Sequence, residues 1–387
     1  MARPILPEPP DDLKRLSRAL QQRLHDAMGP DGEISFARFM EMALYEPGLG
    51  YYSAGLHKLG AAGDFVTAPE LGDVFGACLA RQAREVASGT GDWDILEIGA
   101  GSGRLAATVL RELDAADLPR RYAILERSAD LRAVQRKTLA DAVPDRFERV
   151  TWLDRPPTES WRGLVLANEV LDALAVERFE IRDGDVRQLC VRATDDGFRW
   201  STRAAPAALE AQVRHLEADI GAPFADGYRS EIQLHLPAWL DSVTERLEQG
   251  LALFIDYGYP RREYYRAERR DGTLMCHYRH RAHDDVFFWP GLQDLTAWVD
   301  FTALAEAADR CGLDVDGYTS QAMFLAGCGL ESVLENRMTA NGAALAAEVR
   351  QLTLPGLMGE RFQVMGLGRG LEREPRGFSL LDLRYRL

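Results

Sequence analysis

Asp94-Ile-Leu-Glu97-Ile-Gly99-Ala100-Gly101-Ser102-Gly103 is the stretch that decides the fold. It reads as a buried strand, a tight glycine loop and then a helix over 104–113. Gly99 permits a sharp turn, Gly101 lets backbone approach a ligand without a Cβ in the way, and Gly103 allows close packing at the helix start. The first turn of that helix offers free N–H groups to polar or negative ligand atoms. The spacing G-x-G-x-x-G of nicotinamide-type sites fails, because Arg104 stands where glycine or alanine is needed. Glu97 instead places a carboxylate near the carboxyl end of the strand, where open α/β sheets bind ligands. An acid there suits a cationic ligand better than a pyrophosphate, and S-adenosylmethionine carries both an ammonium and a sulfonium.

Three further apolar segments end the same way. Arg121-Tyr-Ala-Ile-Leu-Glu126 predicts a second strand whose terminal acid is placed for ribose hydroxyls. Ser128 predicts a cap for a helix over 129–140. A third strand over 147–152 ends in Leu153-Asp154, an apolar residue and an acid suited to flanking an adenine and accepting from its amino group. A fourth over 161–167 ends in Asn168-Glu169. Strands alternating with helices imply a parallel sheet with right-handed crossovers. Taken singly, Glu126, Asp154 and Glu169 read equally well as solvated strand-end acids. Taken together they follow one sheet edge.

These residues carry a resemblance. Asp64-Phe-Val-Thr67-Ala-Pro69-Glu70, the glycine loop, Asn168-Glu169-Val-Leu-Asp172-Ala, Ile255-Asp-Tyr-Gly258 and Pro290-Gly-Leu-Gln-Asp294-Leu-Thr-Ala-Trp-Val-Asp300-Phe occur in this order. The chain thereby resembles the MidA-like family of class I S-adenosylmethionine-dependent methyltransferases, from about Ile34 to about Gly368. Mitochondrial members of that family assist respiratory complex I assembly by methylating an arginine of a subunit. The resemblance implies an α/β fold: a Rossmann-like, mostly parallel sheet with helices on both faces, an N-terminal helical cap and an inserted α+β subdomain. It implies S-adenosyl-L-methionine as cofactor and a protein substrate, in a respiratory complex or elsewhere. It also implies that Thr67, Pro69 and Glu70 belong to a lid, hinged at Gly55, Gly60 and Gly63 near Lys58. A surface loop leading into a helix over 72–87 is the plainer alternative. Val170, Ala175 and Trp298 depart from the family's usual aromatic, proline and histidine, the first two beside the expected acceptor site.

The remaining chain predicts the following divisions: a cap and lid over 1–63, a first core part over 64–175, an insertion over 176–249, a second core part over 250–370, and a tail over 371–387. In the cap, Leu13, Leu16, Leu20, Leu24 and Met28 mark a helix face, and Phe36, Phe39, Met40 and Leu44 mark a second. Within the insertion, alternating residues around Phe179 and Leu189, with Asp183-Gly184 and Asp196-Gly197, predict hairpins. The fifth core strand is expected only over 251–256. An insertion of this length reads as an acceptor-recognition subdomain or as a dimerisation arm, hence a homodimer. The second core part carries an insertion over 257–300. It holds His277, His280 and His283, whose three-residue steps drift off any one helix face, so no metal site is expected. A helix over 321–354 and a final antiparallel strand over 362–367 complete the core.

Composition frames the chemistry. No apolar run approaches the roughly 20 residues of a membrane span. A net charge of −14 disfavours nucleic-acid partners, since phosphate contacts supply most non-specific affinity. It favours a basic protein or peptide. The five cysteines (Cys78, Cys190, Cys276, Cys311 and Cys328) are scattered and lack C-x-x-C spacing. With an N-terminus rich in acid and poor in apolar residues, they predict a cytoplasmic protein. Methyl transfer to arginine requires a poor nucleophile to be oriented, and carboxylates that pin a guanidinium bidentately localise its charge away from the attacking nitrogen. Glu169, Asp172 and Glu70 are the acids expected to do so. A small-molecule methyltransferase and a cofactor-binding assembly protein with little turnover are the alternatives.

Overall fold

The computed structural model describes residues 6–55, 67–337 and 342–387. The chain forms two units that interleave along the sequence. Unit 1 comprises Met1–Phe65, Asp172–Leu236 and Arg261–Trp298; unit 2 comprises Val66–Leu171, Pro237–Pro260 and Val299–Leu387.

Unit 2 is built on seven principal strands. They are β1 Asp94–Ile98, β2 Arg121–Leu125, β3 Val150–Leu153, β4 Trp161–Asn168, β5 Leu247–Tyr259, β6 Asp314–Ser320 and β7 Phe362–Arg369. Their order across the sheet is β6-β7-β5-β4-β1-β2-β3, with the two-residue strand Val299–Asp300 alongside β5. All neighbours are parallel except those of β7, which runs antiparallel to both β5 and β6. The central strands are apolar without alternation: Leu164 to Ala167 of β4 and Leu251 to Ile255 of β5 are all buried. That is the pattern of a parallel sheet covered on both faces. Helix α1 (Val74–Thr90) and helix α2 (Arg104–Glu112) pack on each other and share one apolar core with β1, β4 and β5. Helix α3 (Ala129–Ala142) begins at Ser128, whose hydroxyl accepts from the Leu131 N–H as expected of a cap.

Unit 1 is antiparallel. Glu177–Arg182 and Asp185–Thr194 form a hairpin extended by Gly197–Ala204. Glu33–Ser35 and Arg229–Ile232 flank it. Helices Asp11–Ala27 and Phe36–Tyr45 bury Leu20, Leu24, Phe39, Met40 and Leu44 in one cluster with Val191 and Leu295.

Several local expectations shift for identifiable reasons. The third core strand starts at Val150, because Pro144–Arg149 forms a 3-10 turn led by its proline. Helix α1 starts at Val74 rather than residue 72, since Gly72 is extended at φ 170°. The long helix over 321–354 is instead the separate helices Gln321–Gly327, Leu330–Glu335 and Gly342–Thr353. The first break falls at Gly329, which takes a left-handed φ of +82°. His277 and His283 lie on antiparallel strands of unit 1, Met275–Tyr278 and Arg281–His283, joined through left-handed Arg279 and His280.

Candidate active site

In unit 2 the glycine loop leaves β1 and enters α2 with Gly99, Gly101 and Gly103 all at positive φ (65°, 55° and 83°). A Cβ at Gly103 would stand 3.2 Å from the Cα of Gln135, so the loop packs directly on the backbone of α3. Glu97, two residues before the loop, is 3 % exposed and accepts a 2.7 Å hydrogen bond from the Tyr122 hydroxyl. Burial pushes its carboxyl up to about 7; the Tyr122 bond opposes that, and the nearby Glu126 charge adds to it. A desolvated acid raised in this way is poised for a cation.

Glu126 ends β2 with a buried carboxylate. It accepts from the Ser128 backbone N–H at 2.9 Å and from Gln135 Nε2 at 3.0 Å, and burial holds its pKa above the usual range. Arg132 donates to the carbonyls of Glu126 and Leu153, tying the ends of β2 and β3 together. Leu153 is half-buried, whereas the Asp154 carboxylate is 88 % exposed and pairs with Arg132 at 2.7 Å. Glu70, in the short helix Ala68–Leu71, accepts a hydrogen bond from the Ser102 hydroxyl, and Arg104 lies 3.9 Å away. The Thr67-to-Glu70 segment is therefore anchored to the glycine loop and the start of α2. Thr67 precedes that helix with its carbonyl accepting from the Glu70 N–H, and Pro69 lies in its first turn. Gly60, Gly63, Lys58 and Asp64-Phe-Val, part of the expected lid, lie outside the described residues; Gly55 takes a φ of +66°.

The end of β4 carries a feature invisible in the sequence. Glu169 adopts a left-handed φ of +54°, one of five non-glycine residues at positive φ among the described residues. Its N–H reaches the Ile255 carbonyl at 2.9 Å. The next two N–H groups, of Val170 and Leu171, donate to Asp256 Oδ2 at 3.2 and 2.9 Å. Asp256 is fully buried at the carboxyl half of β5, so a carboxylate from the neighbouring strand sets the turn in which Glu169 sits. Asn168 Nδ2 donates to Glu169 Oε1 at 3.1 Å, which fixes the amide because a carboxylate only accepts. Asn168 Oδ1 is thereby left buried with no hydrogen-bond partner among the described residues.

Asp172 belongs to unit 1. It is 5 % exposed, and its carbonyl accepts from the Ala297 N–H. There Tyr52 donates to both oxygens of Asp294 at 3.0 Å, and burial with the charges of Asp294 and Asp172 keeps that phenol protonated. Unit 2 thus holds Glu97, Gly99, Ala100, Gly101, Ser102, Gly103, Glu126, Leu153, Asp154, Asn168 and Glu169 at the carboxyl ends of its strands and in the adjoining loops, with Glu70 in the short helix bonded to Ser102, whereas Asp172 falls in unit 1. Sequence reasoning missed Gln135 and Asp256. Gln135 carried one usable signal: it shares a buried helix face with Leu139, four residues on, which is unusual for an amide.

A seven-stranded sheet with its final strand reversed, and a glycine loop between two desolvated acids, define a class I S-adenosylmethionine-dependent methyltransferase. The left-handed glycines, the Glu97 carboxyl and the orphaned Asn168 oxygen suit a ligand with ammonium, hydroxyl and amino donors. Comparison with known proteins gives the family: residues 75–319 match the model described as "Putative S-adenosyl-L-methionine-dependent methyltransferase", and the chain belongs to that family. It is 39 % identical to a Burkholderia thailandensis protein, described as a "likely methyl transferase", whose crystal structure contains S-adenosyl-homocysteine. The two superpose with a TM-score of 0.93 over 99 % of this chain and all of that one. It is 27 % identical to the mitochondrial protein arginine methyltransferase NDUFAF7 of Danio rerio over 93 % of this chain and 90 % of that protein. It is also 27 % identical to the homologue from Drosophila melanogaster, over 91 % and 85 %.

Those names correct one expectation. The chain was predicted to be cytoplasmic, and its curated relatives are mitochondrial proteins. The five cysteines are free, four of them buried, and they do not identify the compartment. No helix among the described residues is long and apolar enough to cross a membrane.

Proposed function

We propose that this methyltransferase acts on an arginine side chain of a protein. The observation that carries the reading is Glu169: a carboxylate in a left-handed turn, braced by buried Asp256, at the end of the strand beside β1. Non-glycine residues are held in such conformations only where the surroundings over-determine them, and such positions concentrate at functional sites. The names of the mitochondrial relatives support the same acceptor.

S-adenosylmethionine supplies a methyl group already activated on a sulfonium, so the chain's task is alignment. In this reading Glu97 faces the cationic methionine portion, Glu126 accepts from the ribose, Leu153 and Asp154 flank the adenine, and Asn168 Oδ1 accepts from a donor of the cofactor. Ser102, Glu70 and the Thr67–Pro69 segment hold the loop. Glu169 accepts hydrogen bonds from the acceptor guanidinium and draws its positive charge to one side, leaving the other nitrogen the better nucleophile. Unit 1, to which Asp172 belongs, is read as the part of the chain that serves acceptor recognition.

The test adds pure protein and methyl-labelled cofactor to extract from cells lacking this chain. Label is expected on arginine of a protein. Label confined to small molecules would replace this reading with a small-molecule methyltransferase.

A further inference from the structure

We propose that Gln135 is a positioning residue that sets the cofactor's ribose specificity by aiming the Glu126 carboxylate. The inference rests on the reading of Glu126 as the ribose acid.

Gln135 lies in the middle of α3 and is fully buried. Its side-chain amide makes three hydrogen bonds. Nε2 donates to Glu126 Oε2 at 3.0 Å and to the Gly101 carbonyl at 3.0 Å, and Oε1 accepts from the Trp152 indole N–H at 2.9 Å. Their chemistry leaves no choice of orientation. A carbonyl only accepts and an indole N–H only donates, so the amide cannot turn over without losing all three. One side chain therefore links the glycine loop, the end of β2 and β3. The Glu126 carboxylate is held from both sides, by Gln135 on Oε2 and by the Ser128 N–H on Oε1. Held in this way it has a fixed plane, and its remaining lone pairs point in fixed directions. A diol is recognised by just such a carboxylate, because two adjacent hydroxyls must meet acceptors at set positions.

Gln135 has no need to touch the ligand to do this. Its packing against Gly103, where a Cβ would stand 3.2 Å from its Cα, binds loop and acid into one rigid body. Removing the amide while keeping the volume should free Glu126 to rotate, and a mobile carboxylate gains little from the second hydroxyl.

The experiment measures binding of S-adenosylhomocysteine and of its 2′-deoxyribose analogue by calorimetry, for the parent, Gln135→Met and Glu126→Gln. A hydrogen bond to a charged acceptor is worth roughly a ten- to hundredfold preference, so the parent should favour the ribose compound by about that factor. Glu126→Gln should abolish most of that preference. Gln135→Met should reduce it to a fewfold while changing affinity for the deoxy compound little. A parent without preference, or Glu126→Gln retaining it, would overturn the ribose reading and this inference with it. Preference lost in Glu126→Gln but intact in Gln135→Met, or equal weakening of both compounds in Gln135→Met, would overturn the role of Gln135 alone. Should Gln135→Met fail to fold, Trp152→Phe serves instead, since it removes the donor to Oε1 and leaves both Nε2 bonds in place. A reduced preference then supports the proposal, and an unchanged one refutes it.

Discussion

Replacing Glu97 by glutamine should make the free protein more stable and the cofactor complex weaker, and the two effects should share one pH dependence. Glu97 is buried in the sheet, and its carboxyl is raised from the ordinary 4.5 to about 7, first by burial and then, against the Tyr122 bond, by the Glu126 charge. Each pKa unit corresponds to about 1.4 kcal/mol between the protonation states. Keeping Glu97 ionised in the fold therefore costs roughly 3 kcal/mol above pH 7. The sign follows from linkage: the folded state binds this proton more tightly than the unfolded chain. The associated stability is complete below about pH 4.5 and is lost as pH rises to about 7. Glutamine keeps the shape and still accepts from Tyr122. Urea denaturation from pH 4.5 to 8.5 should show Glu97→Gln gaining on the parent as pH rises, by up to about 3 kcal/mol, with the curves converging in acid. Calorimetry over pH 6 to 8 should show parent affinity for S-adenosylmethionine increasing as the carboxylate ionises, and a flat, weaker response in the variant. A variant less stable than the parent at pH 8, or a stability difference independent of pH, would refute the reasoning.

Three further outcomes are expected. Glu169→Gly relieves the left-handed backbone and should leave the protein as stable or about 1 kcal/mol more so in denaturant, with transfer to arginine lost and cofactor binding retained. Asp256→Ala strands the Val170 and Leu171 N–H groups; it should cost about 2 to 4 kcal/mol by the same assay and slow transfer more than it weakens cofactor binding. Asp94, at the opposite end of β1 from the loop, accepts from Arg120 and Arg121. With both arginines partly exposed, Asp94→Ala should cost only about 1 to 2 kcal/mol and leave cofactor affinity, measured calorimetrically, unchanged.

The parts of the fold legible in the sequence are those with local causes. A buried parallel strand must be apolar on both faces, so Leu251 to Ile255 announced itself; the glycines of 99–103 announced a turn that needs positive φ. The acids at 97, 126 and 169 were visible because they lie at, or just past, the carboxyl ends of such strands. What stayed hidden depends on partners distant in sequence. Asp256 looks like any strand-end acid until β5 is laid beside β4, where its carboxylate meets N–H groups 85 and 86 residues earlier. The left-handed Glu169 goes with that brace, which no local pattern around residue 169 reveals. Gln135 became meaningful only when α3, the glycine loop and β3 converged. Helix breaks such as Gly329 were missed because apolar periodicity continues across them.

The interleaving of the two units has a consequence for how the chain is made. Unit 1 receives its last segment only at Trp298, after the chain has passed through unit 2 twice. In unit 2, β7 lies between β5 and β6 yet is the last strand synthesised. Until residues 362–369 emerge, β5 has an open flank along the length that β7 will cover, and β6 has no sheet partner at all. A nascent chain stopped short of Phe362 therefore presents the bare edge of an apolar strand, the kind of surface that recruits other chains. Termination before Phe362 should yield an aggregating product rather than a slightly shorter enzyme.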